Sequence, residues 1–328
     1  MENYGIKILG TGSYVPEKIL TNADLEKMVQ TSDEWITTRT GIKERHVADK
    51  KTATSDLAVK AAISALKEAN MTKDELDVII VATITPDMAF PSTACLVQKA
   101  LDAKKALAFD VSAACSGFIY ALAVAKSFIE SGTYKNILLI GAETLTKVTD
   151  WTDRSTCVLF GDGAGAMVLG RSEKEGDLLS IYIGSDGSYD NLLYQPAGGS
   201  RMPATEETVR NKMHCIKMEG KEVFKVAVTK MKEAAEKALE MAGKKAEDLA
   251  LLIPHQANLR IIEAIGKRMG LPSDNVFVNV HKYGNMSSAT TIIAFDEARK
   301  SGKVKKGDLV ELIAFGGGFT WGAALFKL

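Results

Sequence analysis

Runs of apolar residues alternate with amphipathic runs along this chain, and the alternation lays out its elements. Gly5–Gly10 reads as a first strand with its turn. Asn22 is placed to cap a helix over 23–29. Helical spacing of apolar positions covers about 54–69, and the unbroken run Leu76–Thr83 reads as a buried strand. A second helix is expected at 92–101, a short buried strand at Ala106–Phe109, a helix from Phe118 to Ala125 and a buried strand at Ile137–Ile140. Strands alternating with helices predict an α/β fold with a mostly parallel sheet.

The same order then recurs. A charged stretch at 171–178 marks a boundary, and 184–215, with scattered Gly, Pro, Asn and Ser, reads as a long excursion capping a site. A helix over 221–242 precedes Leu249–Gln256, which echoes 76–83, and a helix at 258–269 echoes 92–101. Val276–Val278 echoes 106–109, and Tyr283–Ala289 opens a helix as the segment around Cys115 does. Leu309–Ile313 echoes 137–140, and Trp321–Phe326 echoes Gly165–Leu169. The offset stays near about 170 residues throughout, the mark of a duplicated unit. Two lobes are expected, 1–172 and 173–328.

Composition narrows the class. Apolar residues make up 46% and charged residues 25% of 328, the profile of a globular chain with a large core. Lys plus Arg and Asp plus Glu are equal at 41 each, so no basic excess points to nucleic acid. The four cysteines, 95, 115, 157 and 215, lie far apart without C-x-x-C or a His at metal spacing, so neither disulfides nor a zinc site is expected. The N-terminus, Met-Glu-Asn-Tyr-Gly-Ile, has no basic and apolar leader pattern, and no run of 18 apolar residues occurs. The expectation is a cytoplasmic chain with no membrane span.

Candidate chemistry centres on Cys115 in Phe109-Asp-Val-Ser-Ala-Ala-Cys-Ser-Gly-Phe118, between a strand and a helix N-terminus. Free N–H groups and about half a positive charge collect at such an end. They can bring a thiol from about 8.5 into roughly 3.5–7.5 and can bind an oxyanion. A small apolar Cys filling a strand–helix junction fits the same stretch. Trp35 and Arg39 share a helical face, as a surface cation–π pair or as a grip on adenine or phosphate. The glycines of 161–170 resemble a dinucleotide loop only loosely and read better as close strand packing. The repeat sets Asn285 at the helix start that matches Cys115 and puts His255 at a strand exit, where open α/β sheets hold ligands. Cys, His and Asn are therefore expected to converge, although Asn285 also fits a turn residue. Gly316-Gly317-Gly318 follows the last long strand and permits close backbone approach to a ligand or a tight reversal.

Four stretches together resemble β-ketoacyl-acyl-carrier-protein synthase III of the thiolase-like condensing enzymes. They are Ala-Ala-Cys115-Ser-Gly, Pro-His255-Gln-Ala-Asn258-Leu-Arg260, Tyr-Gly-Asn285-Met-Ser-Ser-Ala and Ala-Phe315-Gly-Gly-Gly-Phe-Thr-Trp-Gly. The likeness runs nearly end to end, through Gly-Thr-Gly-Ser-Tyr, Thr-Ser-Asp-Glu-Trp35 and Phe160-Gly-Asp-Gly-Ala-Gly-Ala. It implies thiolase-like duplicated lobes in five layers, αβαβα, with two mostly parallel mixed sheets. It implies a decarboxylative Claisen condensation of a short acyl-CoA with malonyl-acyl-carrier protein, starting type II fatty acid synthesis without a cofactor.

By the same resemblance Cys115 carries the acyl group, and the N–H groups of Cys115 and Gly317 form the oxyanion hole. His255 and Asn285 donate hydrogen bonds to the malonyl thioester carbonyl, Asn at any pH and His only with the right proton. Trp35, Arg39 and Arg154 grip CoA and Asn258 its pantetheine. Phe160 and Phe315 line the acyl pocket, and Phe90 of a homodimer partner closes it. Arg260, Lys267 and Arg268 on one helix suit an acidic carrier protein, and equally an ordinary solvated face.

The residues weigh against neighbouring classes. A degradative thiolase is expected to carry a second Cys in the glycine loop, and an elongating synthase a second His in place of Asn285. A Cys-dependent thioester hydrolase and a starter-unit enzyme of a specialised pathway stay open as alternatives.

Overall fold

The computed structural model describes residues 4–328; Met1–Asn3, which open the stretch read above for a leader, lie outside the described residues. The long elements of the first half are β1 (Gly5–Tyr14), α1 (Asp33–Thr40), α2 (Thr54–Glu68), β2 (Val78–Ala82), α3 (Thr93–Leu101), β3 (Leu107–Val111), α4 (Gly117–Glu130), β4 (Asn136–Thr144) and β5 (Asp162–Ser172). Those of the second half are β6 (Leu178–Ser185), α5 (Gly220–Met241), β7 (Leu251–Pro254), α6 (Leu259–Arg268), α7 (Ala289–Lys300), β8 (Leu309–Gly316) and β9 (Thr320–Lys327). Local chemistry fixes several ends. The Ser32 side chain accepts from Trp35 N–H to start α1, and left-handed Gly41 ends it. Ser92 caps α3 and Asn258 caps α6 in the same way.

The first sheet runs β1-β5-β4-β2-β3 and the second β7-β8-β9-β6. Helices α2 and α3 cover the outer face of the first, α5 and α6 that of the second, and α4 and α7 fill the space between. This is the expected five-layered α/β arrangement. One apolar core joins β2, β4, α4, α7 and β8 across the middle layer, through fully buried Phe118, Leu122, Leu139, Phe295 and Leu312. Each large side chain removed from water in this way contributes about 1.5–3 kcal/mol. On the outer side, α2 turns Ala61 and Ala65 to β1, and a Cβ on Gly12 would come within 2.4 Å of Ala65 N. Only glycine lets the helix lie that close.

Four expectations are corrected. Parallel pairing is confined to β3–β2–β4 and β7–β8; β4–β5, β5–β1, β8–β9 and β9–β6 are antiparallel, so the mixed sheets are less parallel than predicted. β3 is an edge strand with Leu107 exposed, not a buried one. Val276–Val278 shrinks to a single bridge from Val276 to Leu252. Thr21, not Asn22, caps the short helix Asn22–Glu26 through a reciprocal pair with Asp24. Asn22 is buried instead, donating to Asp33 and to the Ile42 carbonyl.

The glycines of 161–170 fall on β5 and its approach, where a Cβ on Gly163 or Gly165 would come within 2.6 Å of Met286 or Ile292, so they admit α7 and the loop before it. Within 184–215 lie the strand Leu193–Tyr194, which pairs with Lys217–Met218 just beyond that stretch, and a short helix, Glu206–Arg210. Among the described residues no helix is long and apolar enough to cross a membrane.

Candidate active site

Cys115 sits in a single 3-10 turn, Ala114–Ser116, between β3 and α4. Ala114 adopts φ +46°, left-handed for a residue with a side chain. The turn is held from the second lobe: Thr320 Oγ1 donates to the Ala113 carbonyl at 2.9 Å, and Ser116 Oγ donates to Thr320 Oγ1 at 2.6 Å. The glycine loop presses on the same turn. A Cβ on Gly316 would lie 2.5 Å from Cys115 N, so the β8 end reaches the Cys115 backbone only as glycine.

His255 leaves β7 with its N–H donating to the Ile313 carbonyl of β8 at 2.7 Å. Its ring is buried, and Nδ1 lies 2.5 Å from Thr290 Oγ1 at the start of α7. Asn285 lies in the loop before α7. Its N–H donates to the Leu159 carbonyl at 2.8 Å and its own carbonyl accepts from Gly161 N–H at 3.0 Å. Asn285 Oδ1 accepts from Ser287 N–H at 2.8 Å, which leaves Nδ2 as the donating end of the amide.

Cys115, His255 and Asn285 line one cavity of about 640 Å³ whose other walls include Trp35, Arg39, Asn258, Arg260 and Phe315. A second cavity of about 430 Å³ also has Cys115 and Asn285 in its wall, with Phe160, Gly317 and Leu193. The three residues expected to converge do so. Leu193, within the stretch 184–215, and Met218, just after it, line both cavities.

Burial dominates the titration behaviour. It pushes the Cys115 thiol up to about 12, against a smaller lowering by the Ser287 hydroxyl. The lowered thiol expected from the helix end is therefore corrected: desolvation of the thiolate raises it instead. Burial also lowers His255 to about 3, so its imidazole is neutral at physiological pH. Glu143 on β4 is fully buried, accepts from Thr85 Oγ1 at 2.7 Å, and is raised by the same cause.

The outer residues divide. The guanidinium carbons of Arg39 and Arg154 lie 4.9 and 4.7 Å from the Trp35 ring centre, so Trp35 carries two cation–π contacts. Arg154 also donates to the Gln30 carbonyl at 3.0 Å. Asn258 lines the larger cavity, yet Oδ1 caps α6 through Arg260 N–H and Nδ2 donates to the Arg39 carbonyl at 3.1 Å. Arg260 stands at the cavity mouth; Lys267 and Arg268 are exposed at the far end of α6, where Arg268 donates to Thr229. Phe90 is 84% exposed and lines neither cavity.

Sequence reasoning did not single out Glu143, Ser287 or Thr290. A hydroxyl or a carboxyl carries no signal in the pattern unless its distant partner is known. Among the described residues no cluster of His, Cys, Asp and Glu is arranged for a metal ion, and the four cysteines are free.

Residues 109–187 match the family model described as 3-oxoacyl-[acyl-carrier-protein] synthase III, and 239–328 match its C-terminal counterpart. The chain is 59% identical to the β-ketoacyl-[acyl-carrier-protein] synthase III of Caldanaerobacter subterraneus subsp. tengcongensis, covering 99% of this chain and 98% of that one. It is 55% identical to the enzyme of the same name from Clostridioides difficile, covering 98% and 97%. The crystal structure of 3-oxoacyl-[acyl-carrier-protein] synthase III from Aquifex aeolicus superposes with a TM-score of 0.91 at 55% identity, over 99% and 100% of the two chains. Fold and site thus define a thiolase-like condensing enzyme, an acyltransferase. More narrowly, the chain belongs to the β-ketoacyl-acyl-carrier-protein synthase III family, whose reaction initiates fatty acid biosynthesis.

Proposed function

We propose that Cys115 takes the acyl group of a short acyl-CoA and that this acyl-enzyme condenses with malonyl-acyl-carrier protein. The products are 3-oxoacyl-carrier protein, CoA and carbon dioxide. The convergence of Cys115, His255 and Asn285 on one deep cavity is the observation that carries the reading. The N–H groups of Cys115 and Gly317 stabilise the oxyanion of each tetrahedral intermediate. Asn285 Nδ2, left free by the Ser287 bond to Oδ1, donates to the malonyl thioester carbonyl and holds the enolate formed as carbon dioxide leaves. His255 assists at the same oxygen once it carries a proton on the ring nitrogen that faces it. Thiol, imidazole and amide supply nucleophile, proton transfer and charge stabilisation, so the cycle needs no cofactor.

Trp35, Arg39 and Arg154 take the CoA adenine and phosphates, and Asn258 reaches pantetheine through the amide it shares with its cap. Arg260, Lys267 and Arg268 receive the acidic carrier protein. Phe160 and Phe315 bound the acyl chain. The lobes are 1–172 and 173–328, and the enzyme works in the cytoplasm as a homodimer. Exposed Leu107 on the free edge of β3, with Met88 and Phe90 exposed nearby in the chain, supports that pairing, since an open apolar edge strand is a pairing surface. Phe90 then closes the partner's acyl pocket.

Intact-protein mass spectrometry tests the core of this. Acetyl-CoA should leave an acetyl adduct on Cys115 that malonyl-carrier protein discharges into acetoacetyl-carrier protein. An adduct that water removes without the malonyl partner would sink the condensing role.

A further inference from the structure

We propose that Glu143 works as an uncharged carboxylic acid, a positioning residue whose own proton orders the start of α7 and keeps negative charge away from Cys115. The inference rests on the roles proposed above for Cys115 and Asn285. Glu143 lies near the end of β4 with no exposure, and Ser288, which precedes α7, has none either. The partners of the Glu143 carboxyl are the hydroxyls of Thr83, Thr85 and Ser288 and the N–H of Ile84, none of them charged. A buried carboxylate without a cation is costly, and a proton removes that cost.

Ser288 shows where that proton sits. Its Oγ lies 2.8 Å from the Ala82 carbonyl oxygen and 2.9 Å from Glu143 Oε1. A hydroxyl has one proton to give. With Glu143 ionised, one of those two oxygens faces Ser288 Oγ with no proton between them. Two acceptors at hydrogen-bond distance repel in a buried, low-dielectric setting. With a proton on Oε1, Glu143 donates to Ser288 Oγ and Ser288 donates to the Ala82 carbonyl, so both contacts carry a proton. Oε2 is then the carbonyl oxygen of the acid. It accepts from Thr85 Oγ1 at 2.7 Å and Ile84 N–H at 3.1 Å, with Thr83 Oγ1 longer at 3.2 Å. Thr85 Oγ1 itself accepts from Thr144 N–H at 2.9 Å, so its proton points to Oε2. Burial acts in the same direction, raising the Glu143 carboxyl.

The place of this chain of hydrogen bonds gives it a role. Ala82 and Ser288 pack against Gly117, the first residue of α4, where a Cβ would stand 3.3 Å from Ala82 Cβ and 3.6 Å from Ser288 Cβ. Glu143, Ser288 and Ala82 therefore lie against the helix start that follows Cys115. Loading develops negative charge on Sγ and on the thioester oxygen, and condensation develops it on the enolate beside Asn285. A carboxylate behind the helix start would oppose each of these, and a charge on Glu143 raises the Cys115 thiol. Kept protonated, Glu143 presents only a dipole. The same bond fixes Ser288, next to Ser287, whose N–H holds Asn285 Oδ1 at 2.8 Å.

Infrared spectroscopy of the full-length resting enzyme at pH 8 should show a carboxylic-acid C=O band that Glu143→Gln removes. A spectrum with no such band beyond the one lost in Glu311→Leu overturns the proposal, and this needs no folded variant of Glu143. Alkylation of Cys115 supplies a second readout. Its pH profile in Glu143→Gln should follow the wild type; displacement towards acid by about one pH unit or more means that the wild type carries a charge there, and overturns the proposal. Single-turnover loading from acetyl-CoA and discharge by malonyl-carrier protein, followed by mass spectrometry, test the positioning. Glu143→Leu leaves Ser288 Oγ without its donor and should slow discharge by about tenfold or more. Glu143→Gln, whose amide donates to Ser288 as the acid does, should recover most of that rate; a Gln variant as slow as Leu overturns the positioning role. No acetyl adduct on wild-type Cys115 would instead defeat the proposed reaction, while the infrared band still decides the state of Glu143.

Discussion

Arg45 donates from Nη2 to the Val158 carbonyl at 2.8 Å, two residues from the Phe160–Asn285 bridge. The guanidinium is fully buried, and its other acceptors, the Leu20 carbonyl and Asn22 Oδ1, are neutral. Burial lowers it to about 10, so it stays charged at neutral pH. Arg45 thus pins the loop whose Leu159 and Gly161 clamp the Asn285 backbone. Arg45→Lys cannot span three acceptors with a planar fork. It should cost about 2–4 kcal/mol of stability and lower condensation more than acyl loading. Denaturant unfolding and separate half-reaction assays check both.

Cys115 should behave as a buried thiol when no substrate is bound. With its ionisation pushed up to about 12, alkylation by iodoacetamide should rise about tenfold per pH unit between pH 6 and 9 without levelling. A plateau near pH 6–7 would show that the helix end governs the resting thiol after all.

Glu311 is a stability defect within the core. It lies on β8 with no exposure, and among the described residues neither carboxyl oxygen has a partner. Burial raises its carboxyl well above the ordinary 4.5. The folded state keeps the proton while the unfolded chain releases it above about pH 4.5, so stability falls as pH rises through that range. Glu311→Leu should raise stability by about 1–3 kcal/mol and remove part of this slope. Urea unfolding at pH 5 and pH 8 should therefore give a smaller difference in the variant than in the wild type.

Phe90 has almost nothing to lose within its own chain, being 84% exposed. Phe90→Ala should widen the acyl-CoA range toward longer primers, read as acyl adducts on Cys115. An unchanged primer range would remove Phe90 from the partner's pocket.

Much was legible in the chain itself. Apolar periodicity gave helices at 54–69 and 92–101 that the structure has at Thr54–Glu68 and Thr93–Leu101, because one buried face per element leaves its period in the residues. The repeat brought Cys115, His255 and Asn285 together before any coordinates, since equivalent strand ends of duplicated lobes meet by symmetry. Burial along a strand was less legible. Ala106–Phe109 carries the same apolar signal as a central strand, yet β3 is at the sheet edge, and which strand lies outermost depends on pairing order.

The chemistry of protons, by contrast, arises only from the folded arrangement. The Cys115 thiol lies at a helix start in the sequence, but the cost of burying its charge depends on walls from Gly317, Leu193 and Phe160, distant in the chain. The Thr290 hydroxyl reads as one more polar residue of a helix until β7 brings His255 to within 2.5 Å of it. Periodicity is a property of neighbours along the chain and survives in the sequence. Desolvation and hydrogen-bond direction belong to groups far apart in the chain, and they exist only once folding has excluded water between them.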